Sequence, residues 1–412
     1  MKKFVRFVTL FSSCILVSSY LPAQDTTAVD TTALQWHTQP ADTLANDSLN
    51  KSPYYYALKE RFYKSETDTL RIDKFGFTVK PSITFGFGLR MRRHKQKYPF
   101  AYEHSLIAYY GINRASFSIE YQSLWNQAVG DWNLELNGKL FIPNSVFFFG
   151  VGNESVYNDD FKRKYYRLYS QEFLASVGVN RLINEAHFIE FSPFYQHVDV
   201  RLKDSLFVTS YLHHQLLSPK DVERKHFMGA TATYGFTRKN NTLSPTRGFV
   251  FDAAVNYTKN VKSTDETDGE FMRYTSSAAF YLPLSRVITL AVRAGGAVID
   301  GEPEFYQLNR LGGNQNLRGY RRERFWGERS FYNNNELRVL WPTQNRHFDG
   351  KLGFLVFVDQ GRVWQPGEES DTWHVGYGGG PVIQIFNQLL LNATYGISEE
   401  DRVLHLRLGF LF

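Results

Sequence analysis

Val403-Leu404-His405-Leu406-Arg407-Leu408-Gly409-Phe410-Leu411-Phe412 places Leu404, Leu406, Leu408, Phe410 and Phe412 at every second position, against Val403, His405, Arg407, Gly409 and Leu411. A β-strand sends alternate side chains to opposite faces, and here one face is an unbroken apolar row while the other carries His and Arg. The same period recurs upstream. Phe85, Phe87 and Leu89 alternate with Gly86 and Gly88, and Trp132, Leu134 and Leu136 alternate with Asn133, Glu135 and Asn137. Turn residues separate such segments, and no convincing helical period appears after about residue 80. An all-β fold is expected.

Composition narrows the medium in which that fold sits. No run of 18 or more apolar residues exists among the 412, which excludes a helical membrane protein. The 16% aromatic content excludes disorder over most of the length. A formal net charge of +6, evenly spread, is too mild to argue for nucleic acid. A soluble propeller would show a blade-length repeat, and none is visible. A membrane barrel keeps its apolar face diluted by a polar interior, so a mean hydropathy of -0.37 does not oppose it.

The first residues read as an address. Lys2, Lys3 and Arg6 precede a mostly apolar stretch to Leu21, and Pro22-Ala23-Gln24 offers a cleavage site, so residues 1–24 are expected to be a signal peptide. Cys14 is the single cysteine. The apolar run continues past it through Ile15, Leu16 and Val17, which favours cleavage at 24 over lipidation and leaves a mature chain without thiols. Residues 25–75 are expected to form a periplasmic linker, disordered to about 52, with a short amphipathic helix on the Tyr55, Leu58 and Phe62 face. Asp42-Thr43-Leu44 and Asp47-Ser48-Leu49 resemble O-glycosylation acceptor triplets; solvated linker is the preferred reading. Residues 76–412 are expected to be the barrel. An exported, aromatic-rich chain with Phe410 and Phe412 as the C-terminal strand signal points to the outer membrane of a Gram-negative cell, with outer-membrane lipid around it.

Loop lengths give a strand count, because such barrels have short periplasmic turns and longer outer loops. Short connections near 180–185, 237–248 and 283–286 alternate with long ones at 204–225, 259–269 and 299–329. For both ends to be periplasmic, 145–151 must be its own strand after a tight turn at Pro143-Asn144. The expectation is sixteen antiparallel strands, the first at about 81–92. That places the basic run Arg90, Arg92, Arg93, His94, Lys95 and Lys97 in the first outer loop. Gly376, Gly378 and Gly380, at i, i+2 and i+4, give one strand a face without side chains, which either admits a loop backbone or relieves curvature. Parity leaves the facing of Asp359 open, since apolar Leu355 and Phe357 share it.

Leu311-Gly312-Gly313-Asn314-Gln315-Asn316-Leu317-Arg318-Gly319-Tyr320 is a Gly-rich lead followed by an apolar residue, Arg, Gly and an aromatic. It resembles the signature loop of the BamA/TamA superfamily, the bacterial surface antigen family. Asn335-Glu336-Leu337-Arg338, the segment 357–364 around Asp359, and Gly376-Tyr377-Gly378-Gly379-Gly380-Pro381 follow in the family's order. Phe148-Phe149-Gly150-Val151-Gly152-Asn153-Glu154 is similar to a segment of barrels that end calcineurin-like phosphoesterase fusions. The resemblance covers roughly residues 75–412. It implies that Arg318 is held by Glu336 and Asp359, and that the seam between the first and last strands opens to template a client strand. It also implies insertion or translocation of other proteins, with client outer-membrane proteins or a periplasmic or lipoprotein partner. A passive pore, or an anchor for a separately encoded periplasmic partner, are the alternatives. Room for POTRA modules is not seen between Asp25 and about residue 80, which makes this a barrel-only branch by expectation.

Enzymatic readings find little support. The glycine clusters lie within strands with no helix following, so a phosphate cradle is not expected. His213-His214 with Asp204 and Asp221 nearby is better read as exposed loop than as a metal site. No cofactor, metal or catalytic residue is expected, and the chain is read as not an enzyme.

Overall fold

The period of two becomes burial along β15 (Phe348–Trp364). Leu352, Phe354, Val356 and Val358 are 39–50% exposed on one face, while Leu355, Phe357 and Asp359 are 0–3% exposed on the other. The first face meets lipid and the second the lumen. Asp359 therefore points inward. Its apolar neighbours share that side because the lumen is filled there: Arg318 of an inward-folded loop lies over Phe357, and Phe410 packs with Leu355 and Phe357.

The computed structural model describes residues 69–80, 84–94, 100–112, 116–214, 216–262, 269–345, 348–385 and 389–412. The expected signal peptide, linker helix, and the Thr43 and Ser48 triplets lie outside the described residues. So do Lys95 and Lys97. The elements are β1 (Thr69–Lys80), β2 (Thr84–His94), β3 (Tyr102–Gly111), β4 (Ser116–Val129), β5 (Trp132–Phe147), β6 (Arg167–Ile183) and β7 (His187–Arg201). A short helix α1 (Phe207–His213) precedes β8 (Lys225–Lys239), β9 (Gly248–Asn260), β10 (Phe271–Pro283) and β11 (Ile288–Gly301). Two three-residue strands, β12 (Asn309–Leu311) and β13 (Phe325–Gly327), form a small sheet of their own. After them come β14 (Arg329–Asn345), β15, β16 (His374–Ile385), β17 (Leu389–Ile397) and β18 (Arg402–Leu408). The other sixteen strands form one antiparallel sheet in chain order, an outer-membrane β-barrel. Among the described residues no backbone pairing joins β1 to β18.

The strand total agrees with expectation, but through two offsetting differences. Residues 145–151 are not a strand of their own: β5 runs through Pro143, and its register to β6 shifts between Phe141 and Asn144. A proline has no N–H for the ladder, and a bulge absorbs it without ending the strand. The missing strand is β1, which starts at Thr69 inside the expected linker. Its register to β2 also shifts, between Asp73 and Gly76. That bulge moves the apolar positions from even (Leu70, Ile72) to odd (Phe77, Val79), so no single alternation spans the segment. A second unexpected element is α1, whose seven residues are too few to show a helical period.

These shifts reverse the direction of β2, β3 and β4 and of the first part of β5. The run at Arg90, Arg92 and Arg93 thus lies toward the end with short connections, not in an outer loop. There Arg92 pairs with Glu103 and lies over the Phe100 ring at 4.8 Å. The short end also carries the 184–186 turn, where Asn184 and Glu185 both take positive φ, +50° and +57°, the twist a tight hairpin requires. With the long loops outside, Ile112→Cys and Lys262→Cys should react with a membrane-impermeant maleimide on intact cells. Asp131→Cys and Arg286→Cys should react only after permeabilisation. Labelling of Ile112→Cys and Asp131→Cys in the opposite order would restore the sequence-derived direction of the first strands.

Candidate functional site

The connection between β11 and β14, residues 302–328, does not stay above the barrel. β12 and β13 make a short hairpin stem, and the tip between them turns into the lumen through Gly312 (φ +127°), Gly313 (φ +75°) and Gly319 (φ +95°). Asn316 braces the stem: its Oδ1 accepts from Gly312 N at 2.9 Å and its Nδ2 donates to Arg310 O at 3.0 Å. Leu317 and Tyr320, both 0% exposed, pack with Leu311, Phe325 and Val363. The motif's apolar and aromatic positions are thus the loop's own core, and they hold Arg318 between them.

Arg318 reaches the barrel wall. Its Nε and Nη2 donate to Asp359 Oδ2 and Oδ1 at 2.7 and 2.8 Å, a two-point planar match, and its backbone N donates to Oδ2 at 3.0 Å. Nη1 donates to Glu336 Oε1 at 2.5 Å, and the guanidinium lies 3.8 Å over the Phe357 ring. Burial works against this charge, yet Asp359 and Glu336 beside it hold the guanidinium's pKa above its ordinary value. Glu336 has a second partner, Arg338 Nε at 2.8 Å. The wall therefore offers two carboxylates, one dedicated to Arg318 and one shared.

The glycine face looks inward, and its members do different things. A Cβ on Gly376 would fall 1.7 Å from Arg318 O, so the loop backbone rests directly on β16 there. On Gly378 and Gly380 it would meet Tyr395 O at 2.0 Å and Ala393 O at 1.8 Å, which belong to the neighbouring strand. Gly396 on β17, not singled out in the sequence, completes the seat: its Cβ would lie 2.7 Å from Gly319 N.

Further contacts surround this seat and were not read from the sequence. Arg293 on β11 donates to Gln315 O at 2.6 Å and to Asn334 Oδ1, while Asn334 Nδ2 donates to Asn316 O at 2.8 Å. The turn between β17 and β18 takes the loop's other side. Glu400 accepts from Arg324 at 2.7 and 2.8 Å, Asp401 pairs with Arg321 at 2.9 Å, and Ser398 Oγ donates to Gly319 O at 3.0 Å. Inward parity with Glu336 could have pointed to Asn334 and Arg338; nothing local marks Glu400 or Asp401.

The segment 148–154 packs against the loop's stem, with Gly152 bridged to Trp326. Phe148 (0% exposed) packs against Trp326, Phe305 and Tyr211 of α1. Asn153, 1% exposed, crosses to the β15–β16 connection. Its N donates to Glu368 Oε2 at 2.7 Å, its Nδ2 to Thr372 O at 3.1 Å, and its Oδ1 accepts from Val363 N at 3.0 Å. His213 and His214 stay at the end of α1, where His214 Nδ1 meets Ser210 O at 2.7 Å. Among the described residues no metal-binding cluster of His, Cys, Asp or Glu forms.

At the other end of the sequence, the alternation expected through Phe412 stops at Leu408. Phe410 is 8% exposed and sits in the lumen with Leu340, Leu355 and Phe357 rather than on the lipid face.

The fold resembles BamA from Haemophilus ducreyi lacking POTRA domains 1–3, with a TM-score of 0.59, 14% identity, and 84% of this chain and 70% of that one covered. It resembles CdiB from Acinetobacter baumannii at a TM-score of 0.51 and 13% identity, over 83% of this chain and 58% of that one. Over 129 residues the sequence is 29% identical to the outer membrane transporter CdiB of Dickeya dadantii (strain 3937). That stretch is 31% of this chain and 23% of that relative. A sequence model of the Omp85 superfamily domain matches residues 101–402, and the chain belongs to the Omp85 superfamily of outer-membrane proteins.

Proposed function

We propose that this barrel moves polypeptide into the outer membrane, assisting the insertion of other β-barrel proteins at the edge where its first and last strands meet. The observation that carries this reading is the absence of backbone pairing between β1 and β18 among the described residues. A strand edge carries a row of N–H and C=O groups, and in hydrocarbon each unmet group costs several kcal/mol. A client strand satisfies that row by pairing. The seated loop supports the reading, because it binds β14 to β18 as one block, reaching β18 through His405 and Arg407, while the backbone edge of β18 that faces β1 takes no part in that block. Outer-membrane lipid and client barrels are the partners this reading requires.

Transport of a partner polypeptide across the membrane is the second reading, favoured by the likeness to an outer membrane transporter in Dickeya dadantii. Depletion followed by quantitative outer-membrane and secreted-fraction proteomics separates the two. Insertion predicts that several unrelated barrels fall together. Transport predicts that one secreted or surface protein disappears while barrel levels hold. Unchanged proteomes with a conducting channel in planar bilayers would leave a passive pore, and a stable co-purifying periplasmic protein or lipoprotein with unchanged proteomes would leave an anchor.

A further inference from the structure

Beyond Leu408 the chain leaves the sheet in a specific way. β18 pairs with β17 from Ile397↔Arg402 to Leu391↔Leu408. Gly409 then takes φ +85°, which a side chain would resist, and turns the chain into the lumen. Phe410 and Leu411 are 8% and 7% exposed. Arg338 stacks over the Phe410 ring at 3.9 Å and the Phe412 ring at 5.1 Å, and Arg293 lies over Phe412 at 5.2 Å.

The backbone of this segment is read as closely as its rings. Gly409 O accepts from Asn392 Nδ2 at 2.5 Å, and Phe410 O and Leu411 O from Arg407 Nε and Nη2 at 3.0 and 3.3 Å. Phe412 O accepts from Arg338 Nη2 at 3.0 Å. Each carbonyl from 409 to 412 thus meets a side chain from β14, β17 or β18. A frayed strand end would leave such groups to water. Four carbonyls met by side-chain donors, with aromatic rings on guanidinium faces, are the makings of a peptide-binding site.

Arg407 has a second duty. Its Nη1 donates to Asn314 O at the tip of the long loop. Among the described residues its hydrogen bonds go to three carbonyls, two from the tail and one from the loop, and Glu336 acts on its charge without a direct bond. A part-buried guanidinium that loses one of so few acceptors is less well compensated. Departure of either the loop or the tail therefore weakens the hold on the other.

We propose that residues 409–412 are the intramolecular ligand of a lumen site that selects an aromatic-apolar-aromatic segment, and that Arg407 makes this occupancy and the seating of the arginine loop mutually dependent. The tail leaves or enters the sheet edge only as the loop loosens or seats.

The test uses the full barrel in liposomes with Cys14→Ser and Leu411→Cys, so that one thiol reports on the tail, and proteolysis near residues 311–325 reports on the loop. Mobility of unheated samples on gels confirms a folded barrel. Maleimide labelling at 411 should be at least tenfold slower than in the urea-unfolded chain. Arg318→Ala should raise it several-fold, and Phe412→Ala, which removes a ring packed with Tyr281 under Arg293 and Arg338, should speed loop cleavage several-fold in the Leu411→Cys-free chain. Should Phe412→Ala fail to fold, Asn392→Ala removes only the Gly409 contact and should act in the same direction. Labelling at the unfolded rate in the parent would eliminate the site. A tail variant that frees residue 411 while loop cleavage stays at the parent rate would eliminate the coupling.

Discussion

Arg318→Ala should unseat the long loop and lower stability by roughly 3–5 kcal/mol, the usual cost of leaving a buried charge without its partner. The two carboxylates will not suffer equally. Glu336 keeps Arg338 at 2.8 Å, whereas Asp359 loses both side-chain contacts and retains at most the backbone N of residue 318. Asp359 is the stranded group. Neutralising it by Asp359→Asn should therefore recover more of the loss than Glu336→Gln, and in a double-mutant cycle the Arg318–Asp359 coupling should be the larger, on the order of 1–3 kcal/mol. Arg318→Lys should not restore the seat, because one ammonium cannot span both Asp359 oxygens and still reach Glu336. Urea midpoints of the barrel in liposomes, with protease cleavage near 311–325, give the readout. Equal recovery by Asp359→Asn and Glu336→Gln would mean that the shared carboxylate is no better protected than the dedicated one.

Much of this site was legible because its signal is chemical and local. The family resemblance of Leu317-Arg318-Gly319-Tyr320 and the strands after it points to Glu336 and Asp359, and the chemistry of the loop adds that a guanidinium drawn out of water needs planar acceptors. The facing of Asp359 was not legible, since polarity marks the lumen face only where the lumen holds water. Beneath the loop and the C-terminal segment, Leu355 and Phe357 are buried as in a soluble core, so both faces of β15 are apolar there. The early strands failed for a related reason. Parity carries information only while it is continuous, and the bulges at 73–76 and 141–144 break it. One break hid β1 and the other split β5, so the count came out even while four strand directions were reversed. Arg407 was hidden differently. The terminal alternation places it inward, but its acceptors are main-chain carbonyls of residues 314, 410 and 411, which no side-chain pattern announces.

Gly376→Ala should imitate the loss of Arg318 although it removes no polar group. The added methyl would lie 1.7 Å from Arg318 O and 2.9 Å from its carbonyl carbon, with Gly319 Cα behind them. These are backbone atoms of a loop fastened at Asp359, Glu336 and Ser398, so no side-chain rotation relieves the overlap. Either the tip lifts off β16 or the strand bows outward. The strand is hydrogen-bonded on both sides, to β15 through Asp359↔Gly376 and to β17 from Tyr377 onward, and yields less readily than the loop. The tip should therefore lift, with a cost at the upper end of the roughly 1–3 kcal/mol typical of overpacking, and cleavage near 311–325 should rise as in Arg318→Ala. Gly378→Ala and Gly380→Ala meet Tyr395 O and Ala393 O instead, so they should separate β16 from β17 and impair barrel folding itself. The pattern expected on unheated gels is a folded band for Gly376→Ala with a protease-sensitive loop, and a diminished folded band for the other two. If all three variants lose folding to the same degree with the loop still protected, the glycine at 376 serves the curvature of β16 and the loop does not depend on it for its seat.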